Sequence, residues 1–365
     1  MAYPGLERYI HERNFGCRIS DRYTYKGWKL LVLENELLRI EVLLDKGSDI
    51  WSFLYKPYDV DFMWRTPQGL CERALYPTTI SPPEGNFMDF YAGGWQEIAP
   101  SGGEGCTYKG ALYGHHGEVW NLSWDCVIET NEPEQVTAKL TCRLLKVPLI
   151  IEKRLTLRTQ EPILHVDEKI TNHSEEVVDF MWGHHPAFGA PFLNENCVVD
   201  IPARKIAVHS FPEDENRRFE RGQVFDWPMM TTRSGEVVDG SKIPPADCRG
   251  SDELCFFDLQ EGWYALTDTV KKVGFALEWD LEVFPYVWFW QVFGGGAGWP
   301  WYGRTYNCAL EPWSSYPQFG IQRVIEAGTQ KQLKPGESMS AHLRAIAYSG
   351  MSRVGKVREG CVLPA

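Results

Sequence analysis

Between residues 136 and 182 apolar and polar positions alternate with a period of two. Leu149, Ile151, Leu155 and Leu157 share one parity, Glu152, Arg154, Thr156 and Arg158 the other, and Leu164, Val166, Glu168 and Ile170 continue the stripe after Pro162. This alternation predicts long amphipathic strands of the antiparallel kind, with one face on a core. Pro148 and Pro162 mark strand starts or edges, and Asn172-His173-Ser174 marks a turn into Val177 to Trp182. Residues 29–43 form two apolar runs broken at Glu34-Asn35-Glu36, a hairpin signal. Further strands are predicted over 262–268, 273–280, 286–293, 306–311 and 340–348. Helical periodicity is poor throughout, and the one short candidate follows Pro4.

The charged stretch Glu213 to Arg221 and the Pro/Gly/Ser-containing stretch Ser234 to Gly250 read as a surface excursion. Because β patterning of one kind lies on both sides, residues 212–250 are expected to be an insertion in a single domain spanning 1–365. No repeat at a fixed period argues for a propeller or solenoid. The fold class expected is all-β, a large antiparallel sandwich.

Charge and composition narrow the partners. Lys plus Arg is 37 and Asp plus Glu is 49, a net charge of −12, and no basic block is dense enough to displace counterions from a phosphate backbone, so nucleic acid is not expected. Glu7, Arg8, Glu12 and Arg13 interrupt any apolar export signal near the start, and no apolar run of about 18 residues could span a bilayer, so no membrane partner is expected. Ten cysteines are scattered singly without a C-x-x-C pair, as suits a reducing cytoplasm. The aromatic content, 13% of the chain, fits either a large β core or a sugar cleft, since the apolar C–H face of a sugar stacks on an indole.

Candidate chemistry centres on two histidine doublets, His115-His116 in YGHHGEVW and His184-His185 in MWGHHPAF. In a strand, neighbouring side chains face opposite ways, so each doublet is expected to offer one histidine to a cleft. Glu311 precedes Pro312 in CALEPWSSYP; proline disfavours helix at the preceding residue, so the carboxylate should stand at a strand end. Trp313 and the aromatic run WFWQVFGGGAGWPWYG (288–303) suggest an aromatic wall beside it. No H-x-H or H-E-x-x-H spacing defines a metal site, and none is expected. The Gly294–Gly298 run lacks the Lys-Ser/Thr of a phosphate loop and reads as a loop lining a cleft. No nucleophile motif for covalent catalysis is present.

In chain order, GGWQEIAP (93–100), HHGE (115–118), HPAF (185–188), FWQVFGG (289–295) and LEPW (310–313) resemble the aldose 1-epimerase (galactose mutarotase-like) superfamily, particularly its divergent bacterial branches. The resemblance covers about two thirds of the chain. It implies a large antiparallel β-supersandwich of the galactose mutarotase type that interconverts α and β anomers of free aldoses without a cofactor. It implies that His116 hydrogen-bonds the substrate near its ring oxygen, that His185 is the general acid and Glu311 the general base, that Gln291 holds a sugar hydroxyl, and that Asp252 corresponds to a hydroxyl-binding aspartate. The family's Asn-Arg pair upstream of the first histidine is missing; Trp95-Gln96-Glu97 stands there instead. Gln96 or Glu97 is therefore assigned to hydroxyl contacts, Arg304 to an acidic or otherwise modified sugar, and Trp290 and Trp313 to the sugar-stacking wall.

A carboxylate that takes the anomeric proton while a protonated imidazole gives one to the ring oxygen opens the ring to an aldehyde, and closure on the other face gives the opposite anomer. Two other readings stay open: a metal-assisted isomerase, epimerase or lyase on the same scaffold, and a carbohydrate-binding protein without catalysis. A small-molecule carbohydrate is the expected partner, with an isologous homodimer expected on general frequency alone.

Overall fold

A computed structural model describes residues 13–75, 83–210 and 215–365. The strands assemble into two large antiparallel sheets of twelve and eight strands. Six strands of the larger sheet build the site: β1 (Asp49–Tyr55), β2 (Trp95–Ile98), β3 (Gly183–Gly189), β4 (Gly250–Leu259), β5 (Tyr286–Phe293) and β6 (Tyr306–Trp313). They lie side by side in the order β1-β2-β3-β6-β5-β4. Arg18–Tyr25, Trp28–Glu34 and Leu38–Leu43 flank β1, and Ala203–Val208 and Val224–Asp226 flank β4.

The smaller sheet runs Cys197–Asp200, Trp263–Asp268, Val273–Trp279, Ser338–Ser349, Ile163–Asn172, Leu149–Arg158, Gln135–Arg143, Asp125–Asn131. Its apolar parity faces the larger sheet: Leu149, Ile151, Leu155, Leu157, Leu164, Val166 and Ile170 are all buried in one core. Phe275 of this sheet meets Phe53 of β1 and Phe188 of β3 at ring-centroid distances of 5.2 and 5.1 Å. Each such side chain removed from water contributes roughly 1.5–3 kcal/mol.

The predicted hairpin is present, with strands Trp28–Glu34 and Leu38–Leu43 and the Asn35 side chain accepting from the backbone N–H of Leu37 and Leu38 at the turn. The segment expected as a strand over 177–182 pairs only at Val178–Phe180, because Met181 and Trp182 lead directly into β3. The candidate helix after Pro4 lies outside the described residues, as does 211–214 of the charged stretch. The rest of the excursion adds Val224–Asp226 to the sheet edge and folds a small hairpin, Met229–Thr231 with Val237–Asp239. Among the described residues two α-helices interrupt the β pattern, α1 (Pro83–Phe90) and α2 (Ile321–Glu326); α1 opens on proline, whose fixed φ suits a first helical turn. Among the described residues no helix is long and apolar enough to cross a membrane.

The outer face of the larger sheet is also covered. Phe87, within α1, and Tyr91, just after it, pack with Ile98, Ala187, Trp288, Ala309 and Trp313 in a second apolar cluster. The central strands are therefore buried on both faces, and β3 is buried along its whole length. Polar residues on these strands must find partners inside the protein.

Candidate active site

Gly183 pairs with Trp313 and Ala187 with Ala309 across β3 and β6, so His185 and Glu311 project side by side from the outer face. His185 Nε2 lies 3.4 Å from Glu311 Oε1. The other carboxylate oxygen accepts the indole N–H of Trp313 at 2.9 Å, and His185 Nδ1 lies 3.3 Å from the Tyr91 hydroxyl. Trp313 is in turn stacked on Trp288, with centroids 3.9 Å apart. Gly183 makes room for this stack, since a Cβ there would sit 2.4 Å from Trp313 Cδ2. Gly183→Ala is therefore expected to displace the indole, costing about 1–3 kcal/mol through overpacking and withdrawing the N–H from Glu311. A lowered melting temperature with an altered near-ultraviolet tryptophan dichroism is the signature; an unchanged spectrum would refute it.

The third imidazole comes from a turn. His116 has φ 61° and Gly117 φ 68°, and a Cβ on Gly117 would lie 2.7 Å from the Ala99 carbonyl, so only glycine fits there. A left-handed histidine is uncommon and costs of order 1 kcal/mol, strain of the kind that gathers at functional sites. The conformation brings the His116 ring within 4.5 Å of Phe87 and 5.4 Å of His185, centroid to centroid. Trp290 packs 5.8 Å from His185 and 5.5 Å from Trp301, and Trp301 meets Trp64 at 5.6 Å. Phe87, His116, His185, Trp290, Trp301 and Glu311 line a cavity of about 1000 Å³.

Burial sets the protonation states. It drives Glu311 well above the usual carboxylate range, with the Trp313 hydrogen bond opposing and the Glu253 charge adding to the rise. It also drives His185 down to about 3 and His115 to about 4, and holds His116 well below its ordinary value, helped by the neighbouring histidines. Burial thus favours the uncharged form of both members of the pair, a carboxylic acid 3.4 Å from a neutral imidazole whose Nδ1 faces the Tyr91 hydroxyl. One proton is shared between the two groups, as acid/base exchange requires.

Several residues singled out from sequence sit elsewhere. Asp252 borders the cavity, but its carboxylate is fully buried and engaged by Arg218 at 2.7 Å, and Arg218 also bonds the Gln291 amide oxygen. Asp252 and Gln291 are cross-strand partners on the parity of Leu254 and Phe289, which face the smaller sheet. Glu253, one residue on and beside Trp290, also lines the cavity and projects from the opposite face of β4. Gln96 is fully buried and donates to Asp49 at 3.1 Å and to the Gly93 carbonyl at 2.8 Å. Glu97 faces the smaller sheet. Trp313 is fully buried behind Glu311, and Arg304 is exposed away from the cavity wall, while Trp290 lines it. The second doublet divides as expected, with His184 turned inward and His185 outward. The first does not: a left-handed turn does not alternate its side chains, and both His115 and His116 line the cavity. Among the described residues no three His, Cys, Asp or Glu side chains converge as metal ligands.

Directly behind the site, the core holds a polar cluster. Glu97 accepts from Lys153 Nζ and from Trp182 Nε1, both at 2.9 Å, and His184 lies 3.0 Å from Glu168 through Nε2 and accepts from Trp95 Nε1 at 3.2 Å. Burial alone would raise Glu97, but Lys153 and His184 outweigh it and hold Glu97 ionised. Burial raises Glu168, and the nearby Glu97 charge adds to that rise. Lys153 and Glu168 occupy the apolar parity of their strands, so the breaks in the alternation were the sequence signal for this cluster.

Solved structures with the same fold define its class. The chain is similar to a candidate aldose 1-epimerase from Klebsiella pneumoniae (16% identity, 91% of this chain and 83% of that chain covered, TM-score 0.71). It is also similar to a galactose mutarotase related enzyme from Lactobacillus acidophilus (18% identity, 88% and 97% covered, TM-score 0.57). A galactose mutarotase-like protein from Clostridium acetobutylicum superposes with a TM-score of 0.61 at 13% identity, with 92% and 99% covered. The protein is a large antiparallel β-sandwich that shares the fold of these galactose mutarotase-like structures. Residues 25–346 match the family described as Domain of unknown function (DUF4432), and the chain belongs to that family. No curated protein matches the chain.

Proposed function

We propose that this protein is a carbohydrate mutarotase, interconverting the α and β anomers of an aldose through Glu311 and His185. The observation that carries this reading is the buried carboxyl–imidazole pair, 3.4 Å apart, on the wall of an aromatic cavity. With a ring-closed sugar bound, the ionised form of the pair acts: Glu311 takes the proton of the anomeric hydroxyl, His185 gives one to the ring oxygen, and the C1–O5 bond breaks to leave a C1 carbonyl. The pair is then neutral, the form that burial favours, so reaching the ionised form is the cost that burial adds to each turnover. Rotation about C1–C2 and closure on the other face reverse both transfers. The proton balance closes within the pair and needs no cofactor. His116 would hold the ring-oxygen side, and Trp290 would stack on the sugar.

All ten cysteines are free thiols, which supports the cytoplasm as its location. Saturation-transfer NMR over neutral, acidic and phosphorylated aldoses tests the activity. Wild-type protein should accelerate anomer exchange of at least one sugar, and His185→Asn should remove the acceleration while leaving the fold intact by circular dichroism. Exchange at the spontaneous rate with every sugar would overturn the proposal.

A further inference from the structure

The cavity is larger than the reacting pair needs. Its volume, about 1000 Å³, stands at the top of the roughly 300–1,000 Å³ typical of small-molecule pockets. Glu311 and His185 occupy only one side of it. Glu253 projects from the same face of the sheet as Glu311 but from β4, with β5 between them. Two strand spacings and a two-residue offset along β6 put its backbone roughly 12 Å from that of Glu311, on the far side of β5 from the reacting pair. Among the described residues no hydrogen-bond partner meets its carboxyl, although burial raises it to about 8 against the opposing charge of Arg217. At neutral pH it is a carboxylic acid that both donates and accepts, as suits hydroxyl groups.

The loop after β5 closes this side of the cavity. It carries Gly294, Gly295, Gly296 and Gly298, and it presents Trp299 on the cavity wall while leaving that side chain 53% exposed. A half-exposed indole at the mouth of a polar cavity offers a stacking face to a group that reaches out toward solvent. Glu215 lines the cavity with Arg217 and offsets its charge, and Glu253 is uncharged, so no net positive charge is left here to favour an anionic group.

We propose that the site takes a reducing oligosaccharide rather than a lone monosaccharide. In this assignment Glu253 and Trp299 form a second subsite that binds the neutral sugar linked to the reacting ring. The inference rests on the mutarotase reading for its catalytic test, and a binding test separates the two. By saturation-transfer NMR, kcat/KM for maltose, cellobiose and lactose is compared with that for glucose, galactose and glucose 6-phosphate. At least one disaccharide should exceed both monosaccharides by about 10-fold or more, and Glu253→Ala and Trp299→Ala should each cut the disaccharide-to-monosaccharide ratio by a similar factor. Equal rates for mono- and disaccharides, a ratio unmoved by both variants, or preference for the phosphate ester would overturn the subsite.

Methyl β-cellobioside, methyl β-lactoside and methyl β-maltoside cannot mutarotate, and their binding is measured by calorimetry. Binding that is lost in both variants sustains the subsite even where no sugar exchanges, which would then overturn the mutarotase reading alone. Absence of binding by all three, with exchange of monosaccharides intact, overturns the subsite alone.

Discussion

Glu311→Gln is expected to lower the anomer-exchange rate by about 10²–10⁴-fold while making the protein more stable at neutral pH. Glutamine keeps the acceptor for the Trp313 N–H but can take no proton from the anomeric hydroxyl, so ring opening loses its base. The stability gain follows from linkage. Burial raises the native Glu311 far above the value near 4.5 expected of an unfolded chain. Its contribution to stability is fully present below about pH 4.5 and is lost as pH rises toward the native value, because only the unfolded state then releases the proton. Glutamine does not titrate. The melting temperature of Glu311→Gln should therefore exceed that of wild type by a margin that grows between about pH 5 and pH 8. A constant margin would show that Glu311 is ionised in the native protein, and unimpaired exchange would remove it from the mechanism.

Lys153→Met is expected to cost about 3–5 kcal/mol of stability, the usual result of leaving one partner of a buried ion pair uncompensated. Lys153 and Glu97 are 5% and 1% exposed in their side chains, and no solvent can screen the carboxylate that remains. Methionine preserves most of the length of the lysine stem and its packing near the Trp124 ring, so the loss is electrostatic rather than a cavity. Pairing it with Glu97→Gln should recover much of the loss, because Trp182 still donates to the amide oxygen and no charge is stranded. Urea unfolding checks this through the midpoint at unchanged slope. A double variant as unstable as the sum of the two singles would mean that the pair is not coupled.

The two variants bracket the part of this protein that was legible from sequence. The strands over 149–170 were readable because two-residue alternation is local: each side chain's face follows from its neighbour's. Glu311 and His185 were singled out from motif order and residue chemistry, and the structure places them 3.4 Å apart on the cavity wall. Asp252 was singled out and Glu253 was not; both border the cavity, but adjacent strand residues point to opposite faces, and nothing local says which face of β4 meets it. That is decided by pairing with β5, where Glu253 falls opposite Trp290 and Asp252 opposite Gln291. The first histidine doublet was misjudged for a related reason: alternation holds in strands, and His116 is in a left-handed turn.

Gln96 and Glu97 show the same division. Their polarity was plain, but their partners, Asp49 for one and Lys153 for the other, lie 47 and 56 residues away along the chain. By itself the sequence determined an all-β chain with antiparallel strands, the strand positions and the residue types able to exchange protons, because these depend on neighbours within a few residues. Only the tertiary structure decided which of those polar groups face the cavity and which are locked together between the sheets. Strand register and the burial of both faces of the central sheet are set by contacts between distant segments, and the same burial makes Glu311 and His185 a neutral pair.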